Sequence, residues 1–105
     1  MAVFDMDVQK IAARISEAYA PEKIILFGSL ASGSSQANDI DLLIIKKTDQ
    51  KPWQRSREVN SLVEHTIPLD LLVYTPEEIR QRIAIHDFFI LDILENGKVM
   101  YEQHI

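Results

Sequence analysis

The feature that most constrains the fold is an apolar run, DIDLLIIKK, that contains two aspartates, Asp39 and Asp41. Its branched residues predict a β-strand in the core. Side chains alternate between the two faces of a strand, so both aspartates share a face with Leu43 and Ile45. A strand that only fills a hydrophobic core has no use for carboxylates there, so the two aspartates need another explanation.

A third aspartate lies near the start of another apolar run, IPLDLLVYT, where Asp70 shares a strand face with Leu72 and Tyr74. If the two strands are neighbours in one sheet, the three carboxylates converge. Asp39 alone is also typical of a turn that follows a loop. Asp41 is harder to explain in that way, because an unpaired buried carboxylate is strongly unfavourable. A shared cation would resolve the repulsion, and hard oxygen ligands suit Mg²⁺.

A glycine and a serine follow the first apolar run, KIILFG, which ends at Gly28. Glycine at the end of a strand lets the backbone approach a ligand closely. A helical turn that begins at Ser29 would present free backbone N–H groups and a hydroxyl to a phosphate. A lone Gly-Ser pair is more typical of an ordinary turn, but the aspartates that follow at short distance favour the phosphate interpretation.

The remaining pattern predicts a single domain over residues 1–105 with an α/β (α+β) fold. Helical spacing or capping residues predict helices over residues 7–20, from Pro52, from Pro76, and from Asp87 to a C-cap at Gly97. The run KVMYE predicts a last short strand. This order of elements predicts a small mixed sheet that helices cover mainly on one side.

Composition excludes several classes of protein. Without cysteine, the chain can form neither a disulfide nor a cysteine metal site. A net charge of −5 and the absence of a basic cluster argue against sequence-independent nucleic-acid binding, although metal ions can still offset the phosphates of a nucleotide. The N-terminus does not resemble a signal peptide, and no apolar stretch approaches the ~20 residues that cross a bilayer. We therefore expect a cytoplasmic protein that binds neither nucleic acid nor a membrane.

These residues together resemble the nucleotidyltransferase signature of the DNA polymerase β superfamily. The signature consists of Gly28-Ser29, a short loop, the Asp39-x-Asp41 pair and Asp70 on a later strand. The small size and layout resemble the minimal nucleotidyltransferases of that superfamily, and the resemblance covers nearly the whole chain. It implies a polymerase β palm-like fold.

The resemblance also implies a reaction and roles for the site residues. Members transfer a nucleoside monophosphate from a nucleoside triphosphate, here expected to be ATP, to a hydroxyl acceptor with release of pyrophosphate. By position, Asp39 and Asp41 would ligate two Mg²⁺ ions, and Asp70 would ligate the catalytic ion and help deprotonate the acceptor. Gly28 and Ser29 would hold the β- and γ-phosphates. Two positions that often carry arginine in the family read Leu30 and Ser32 here, which removes two cations from the expected phosphate site.

The last predicted helix raises the question of a partner. The segment Phe88–Leu94 is apolar around most of its circumference, whereas a surface helix normally has one apolar stripe. Either the helix is wedged deep in a small core, or a second face meets another chain, as in a homodimer or a heteromer. The resemblance implies a HEPN-type protein as that partner, modified with AMP by a nucleotidyltransferase that acts as its antitoxin. The alternative is a catalytically weak or inactive binding module that neutralises a partner by contact.

Overall fold

The computed structural model describes residues 5–34 and 37–104. Within these ranges the helices and strands are, in chain order, α1 (Asp5–Tyr19), β1 (Lys23–Phe27), α2 (Gly28–Ala31), β2 (Ile40–Ile45), α3 (Pro52–Leu62), β3 (Leu69–Tyr74), α4 (Pro76–Ala84), α5 (Phe88–Asn96) and β4 (Lys98–Glu102). The order agrees with the sequence prediction, including the helical turn after β1. None of the helices in the described part of the chain is long and apolar enough to cross a membrane.

The strands form one mixed sheet in the order β3-β2-β1-β4. Strand β1 is antiparallel to β2 and to β4, whereas β2 and β3 are parallel neighbours. The register places Asp41 of β2 directly opposite Asp70 of β3 on one side and Phe27 of β1 on the other. The two acidic strand segments therefore meet at the end of the sheet where β2 and β3 both begin.

Helices cover both faces of the sheet, so the prediction of a sheet covered mainly on one side is wrong. A larger core lies between the sheet and helices α1 and α3, and its buried residues are Val8, Ile11, Ala12, Ile15, Tyr19, Ile24, Leu26, Ile40, Leu42, Ile44, Val59, Val63 and Val73. A smaller core lies beneath α4 and α5, and its buried residues are Ile25, Leu43, Ile45, Ile79, Ile90 and Ile93. The physical reason is that β1 and β2 are apolar on both faces, and each face must be removed from water.

Helix α5 is buried on one side and exposed at its aromatic N-terminal end. Asp87 caps its start by accepting hydrogen bonds from the backbone N–H groups of Phe89 and Ile90, and Gly97 is its C-cap. Ile90 and Ile93 are buried in the smaller core. The aromatic residues at its start are not, because Phe88 is 82% exposed and Phe89 is 55% exposed. The helix thus has a core-facing stripe and a solvent-facing aromatic end.

A buried arginine joins α3 to the last residues of β3 and to the first turn of α4. The Arg55 side chain is only 5% exposed; its guanidinium donates to the carbonyl oxygens of Gln50 and Val73 and to both carboxylate oxygens of Glu78. Glu78 also forms a reciprocal capping box with Thr75 at the start of α4. The hydrogen bond from Arg55 lowers the pKa of Glu78 despite its partial burial. This network is structural and lies away from the three aspartates.

Candidate active site

Three aspartates lie together where β2 and β3 begin. Asp39 comes just before β2, Asp41 is the second residue of β2, and Asp70 is the second residue of β3. Because parallel strands begin at the same end of a sheet, the register sets Asp41 directly opposite Asp70. The side chains of Asp41 and Asp70 lie on the face of the smaller core, which Leu43 and Leu72 continue. The expectation that carboxylates of the two strands converge agrees with this register for Asp41 and Asp70. We call Asp39, Asp41 and Asp70 the carboxylate cluster.

The three carboxyl groups influence one another electrostatically. The pKa of Asp41 is raised to about 6 by burial first, and then by the neighbouring charges of Asp39 and Asp70 and a hydrogen bond with Asp70. Burial and like charges both disfavour an ionised carboxyl group. The cluster therefore holds its negative charge at an energetic disadvantage that a cation would remove.

A glycine without a side chain allows the end of β1 to approach this cluster. Gly28 has a φ of +78°, which is unfavourable for other residues. A Cβ atom at this position would also collide with Oδ2 of Asp41 and would lie 3.1 Å from its Cγ. Both constraints require glycine, so the Gly28 backbone and the Asp41 carboxylate are in direct contact.

The turn after Gly28 is compact and partly solvent-exposed. The carbonyl oxygen of Ser29 accepts hydrogen bonds from Oγ of Ser32 at 2.9 Å and from the backbone N–H of Ser34 at 3.0 Å. Ser29 itself is exposed at the start of α2. Leu30, at a position where the family often carries arginine, packs against the larger core instead. The turn thus sets Ser29 beside the carboxylate cluster without supplying a side-chain cation.

The donor set of the cluster fits a divalent cation. Carboxylate oxygens are the ligands that Mg²⁺ prefers in proteins, and a bound cation would offset the burial and the like charges that raise the pKa of Asp41. No group of three or more His, Asp or Glu residues in the described ranges is already arranged to hold a metal ion. The three carboxylates would therefore have to turn toward a shared ion.

The lysines at the end of β2 do not serve this site. Nζ of Lys46 donates to the carbonyl oxygen of Tyr19 at 2.7 Å and lies 5.0 Å from the centre of its ring. Lys47 lines a depression of about 770 Å³ at the opposite end of β2, together with the Arg55–Glu78 pair. The charged groups that line the depression are partly paired with each other, and the carboxylate cluster lies elsewhere.

An aromatic pair that the sequence pattern did not predict lies next to the carboxylate cluster. Phe27, which is opposite Asp41 in the register, meets the ring of Phe89 edge to face, with 5.7 Å between ring centroids and 87° between planes. Phe27 is only half-buried. The position of Phe27 just before Gly28 is visible in the sequence and places it near the site. Its contact with Phe89 of α5 depends on tertiary packing, which no local pattern predicts.

A four-stranded mixed sheet flanked by helices, with acidic residues at the start of two parallel strands beside a glycine turn, defines a protein of nucleotidyltransferase fold. The sequence profile of the family described as Polymerase beta, Nucleotidyltransferase matches residues 9–105. The chain therefore belongs to the polymerase beta nucleotidyltransferase family.

A solved structure agrees with this fold. The chain is similar to the crystal structure of a candidate nucleotidyltransferase from Sulfolobus solfataricus, with a TM-score of 0.63 and 17% sequence identity over 91% of this chain and 78% of that chain. At this identity the likeness shows the fold alone. No match to the chain was found among curated proteins. Family membership gives the reaction class, which is the transfer of nucleoside monophosphates.

Proposed function

We propose that the protein is a Mg²⁺-dependent nucleotidyltransferase that transfers AMP from ATP to a hydroxyl group. The observation that carries the proposal is the carboxylate cluster, in which Asp41 lies between Asp39 and Asp70 and against the backbone of Gly28. Phosphoryl transfer depends mainly on positioning and on stabilising charge, and carboxylates that hold metal ions supply both.

Each residue has a role in this proposal. Asp39 and Asp41 would hold two Mg²⁺ ions, and Asp70, across from Asp41, would hold the catalytic ion and accept the proton of the acceptor hydroxyl. When bound, such ions would supply charge neutralisation for the phosphates and for the attacking and leaving oxygens. Gly28 and Ser29 hold the β- and γ-phosphates through the turn. Since Leu30 is packed into the larger core, the triphosphate depends on metal ions and backbone N–H groups for its neutralisation.

We further propose that the acceptor is a HEPN-type protein and that the chain acts as its antitoxin. The exposed aromatic end of α5, at Phe88 and Phe89, supports a protein partner because an exposed apolar surface of this kind is typical of an interaction site. The same surface would support a homodimer in the isolated chain. A contact-only binding module is the second candidate, and it is favoured by Leu30 and Ser32 at the two positions where family members often carry arginine.

An assay for transfer of AMP from ATP to a protein acceptor tests the proposed reaction. ATP labelled at its α-phosphate is incubated with Mg²⁺, the chain and a purified HEPN-type protein. We expect label on that protein and release of pyrophosphate, both lost in Asp41→Asn. Asp49→Asn is the matched control, because Asp49 is an exposed aspartate at the far depression. A stable complex without any labelling would favour the contact-only module instead.

A further inference from the structure

A small hollow lies between α2 and α5, directly beside the carboxylate cluster. Its volume is about 300 Å³, and its walls include Phe27, Gly28, Asp92, Ile93 and Asn96. Gly28 contacts the carboxylate of Asp41 and also lines the hollow. A ligand held at the cluster can therefore extend into the hollow across a single residue.

The hollow has an aromatic wall that is held in place. Phe27 is half-buried, and the edge-to-face contact with Phe89 restricts the movement of its ring. Aromatic side chains beside phosphate-binding surfaces commonly stack with nucleobases, because every base has a π-face. The volume lies at the lower end of the roughly 300–1,000 Å³ typical of ligand sites, which suits one ring system.

The opposite wall presents two hydrogen-bond acceptors. Asp92 and Asn96 are one turn apart on α5, and Nδ2 of Asn96 donates to Oδ1 of Asp92 at 2.7 Å. The pair still offers the second carboxylate oxygen of Asp92 and the carbonyl oxygen of Asn96. These acceptors match an exocyclic amino group, which adenine, cytosine and guanine carry. Uracil carries a carbonyl oxygen at the ring position where cytosine carries its amino group, and a carboxylate repels that oxygen.

We propose that this hollow binds the base of the donor nucleotide and that Asp92 and Asn96 select bases with an exocyclic amino group. The inference rests on the proposed function, since it requires that a nucleotide occupies the carboxylate cluster. It adds a substrate preference that the transfer chemistry does not require. The donor nucleotide spans from the cluster across Gly28 to the ring of Phe27.

CTP and UTP differ mainly in the exocyclic amino group of the base, so comparing their binding gives the sharpest test. The full chain is titrated with CTP, UTP and inorganic triphosphate in the presence of Mg²⁺, with ATP measured alongside. We expect CTP and ATP to bind about tenfold more tightly than UTP, since a good pair of base hydrogen bonds discriminates by that order. Asp92→Ala should remove this difference by weakening CTP and ATP, while UTP and triphosphate binding do not weaken.

A matched control separates the hydrogen bonding of Asp92 inside the hollow from a general effect of removing a negative charge from α5. Glu95→Ala removes the same charge from an exposed position of α5 that does not line the hollow, and it should preserve the preference. Asn96→Ala is a second variant and should reduce the preference in the same direction. Equal binding of CTP and UTP by the wild type, with no effect of Asp92→Ala, overturns the hollow as a base site but leaves the proposed function intact. Failure of all four ligands to bind would overturn the proposed function itself.

Discussion

At the scale of single residues, Gly28 and Asp41 depend on each other. The glycine gives β1 a left-handed end, and the absent side chain leaves the space that the Asp41 carboxylate occupies. The register then sets Asp70 on the other side of Asp41. Burial and like charges disfavour an ionised Asp41 at this point, which is why we propose a binding role for it rather than a packing role.

The substitution Asp41→Asn tests this explanation through the dependence of stability on pH. The pKa of Asp41 is raised from its ordinary 3.8 to about 6, so between these values the folded state binds more protons than the unfolded state. The stability of the wild type therefore falls as pH rises through this window and stays lower above about pH 6. In metal-free buffer the Tm of the variant should exceed that of the wild type by a few degrees at pH 7.5. The two should melt alike below pH 4.

Mg²⁺ supplies the matching control for that melt. It should raise the Tm of the wild type and leave that of Asp41→Asn nearly unchanged, because the variant lacks the central ligand. A variant that melts far below the wild type in metal-free buffer would show that Asp41 has a structural role instead.

At the scale of elements, the Arg55–Glu78 pair connects α3, β3 and α4 at the end of the sheet opposite the carboxylate cluster. Arg55 is buried, and the Glu78 carboxylate balances the charge of the Arg55 guanidinium and accepts two of its hydrogen bonds. Glu78→Ala should lower the free energy of unfolding by about 2 kcal/mol, because it leaves a buried cation without its anion and removes the capping box of α4.

Chemical denaturation with urea measures that loss. Glu77→Ala is the control, because Glu77 is an exposed residue of the same first turn and makes no comparable bond in the described structure. A loss no larger than that of Glu77→Ala would contradict the structural role of the pair. Nucleotide binding should survive in folded Glu78→Ala, since the pair is remote from the aspartates.

The strands and the acidic face of the sheet could be predicted from sequence because both follow from local alternation. Alternation predicts that Asp39 and Asp41 share a face and that Asp70 shares a face with Leu72. The pairing of β2 with β3, which alternation does not fix, brings Asp70 opposite Asp41. The assignment of helices to faces could not be predicted, because tertiary packing decides which helix covers Leu43 and Ile45. The hollow beside Gly28 was missed for the same reason: its walls come from β1, α2 and α5, which no local pattern brings together.

At the scale of the whole molecule, the exposed aromatic end of α5 predicts self-association in the isolated chain. Phe88 is 82% exposed and lies near Ile85, which is 66% exposed. We expect wild-type protein at micromolar concentration to sediment as a dimer and Phe88→Asp to sediment as a monomer of 12.1 kDa. Trp53→Asp is the control, since Trp53 is 60% exposed on α3 and should not alter the state. A wild-type protein that sediments as a monomer at every concentration tested would contradict this prediction.

Calorimetric titration with ATP tests whether the three aspartates and the glycine turn form one metal-dependent nucleotide site. The wild type is titrated with and without Mg²⁺, alongside Asp39→Asn, Asp41→Asn and the control Asp49→Asn. We predict binding by the wild type and Asp49→Asn only when Mg²⁺ is present, and at least about a tenfold loss of affinity in both site variants, since each loses a charged ligand. ATP binding that is equally tight without Mg²⁺, or unchanged in Asp39→Asn and Asp41→Asn, would contradict the claim.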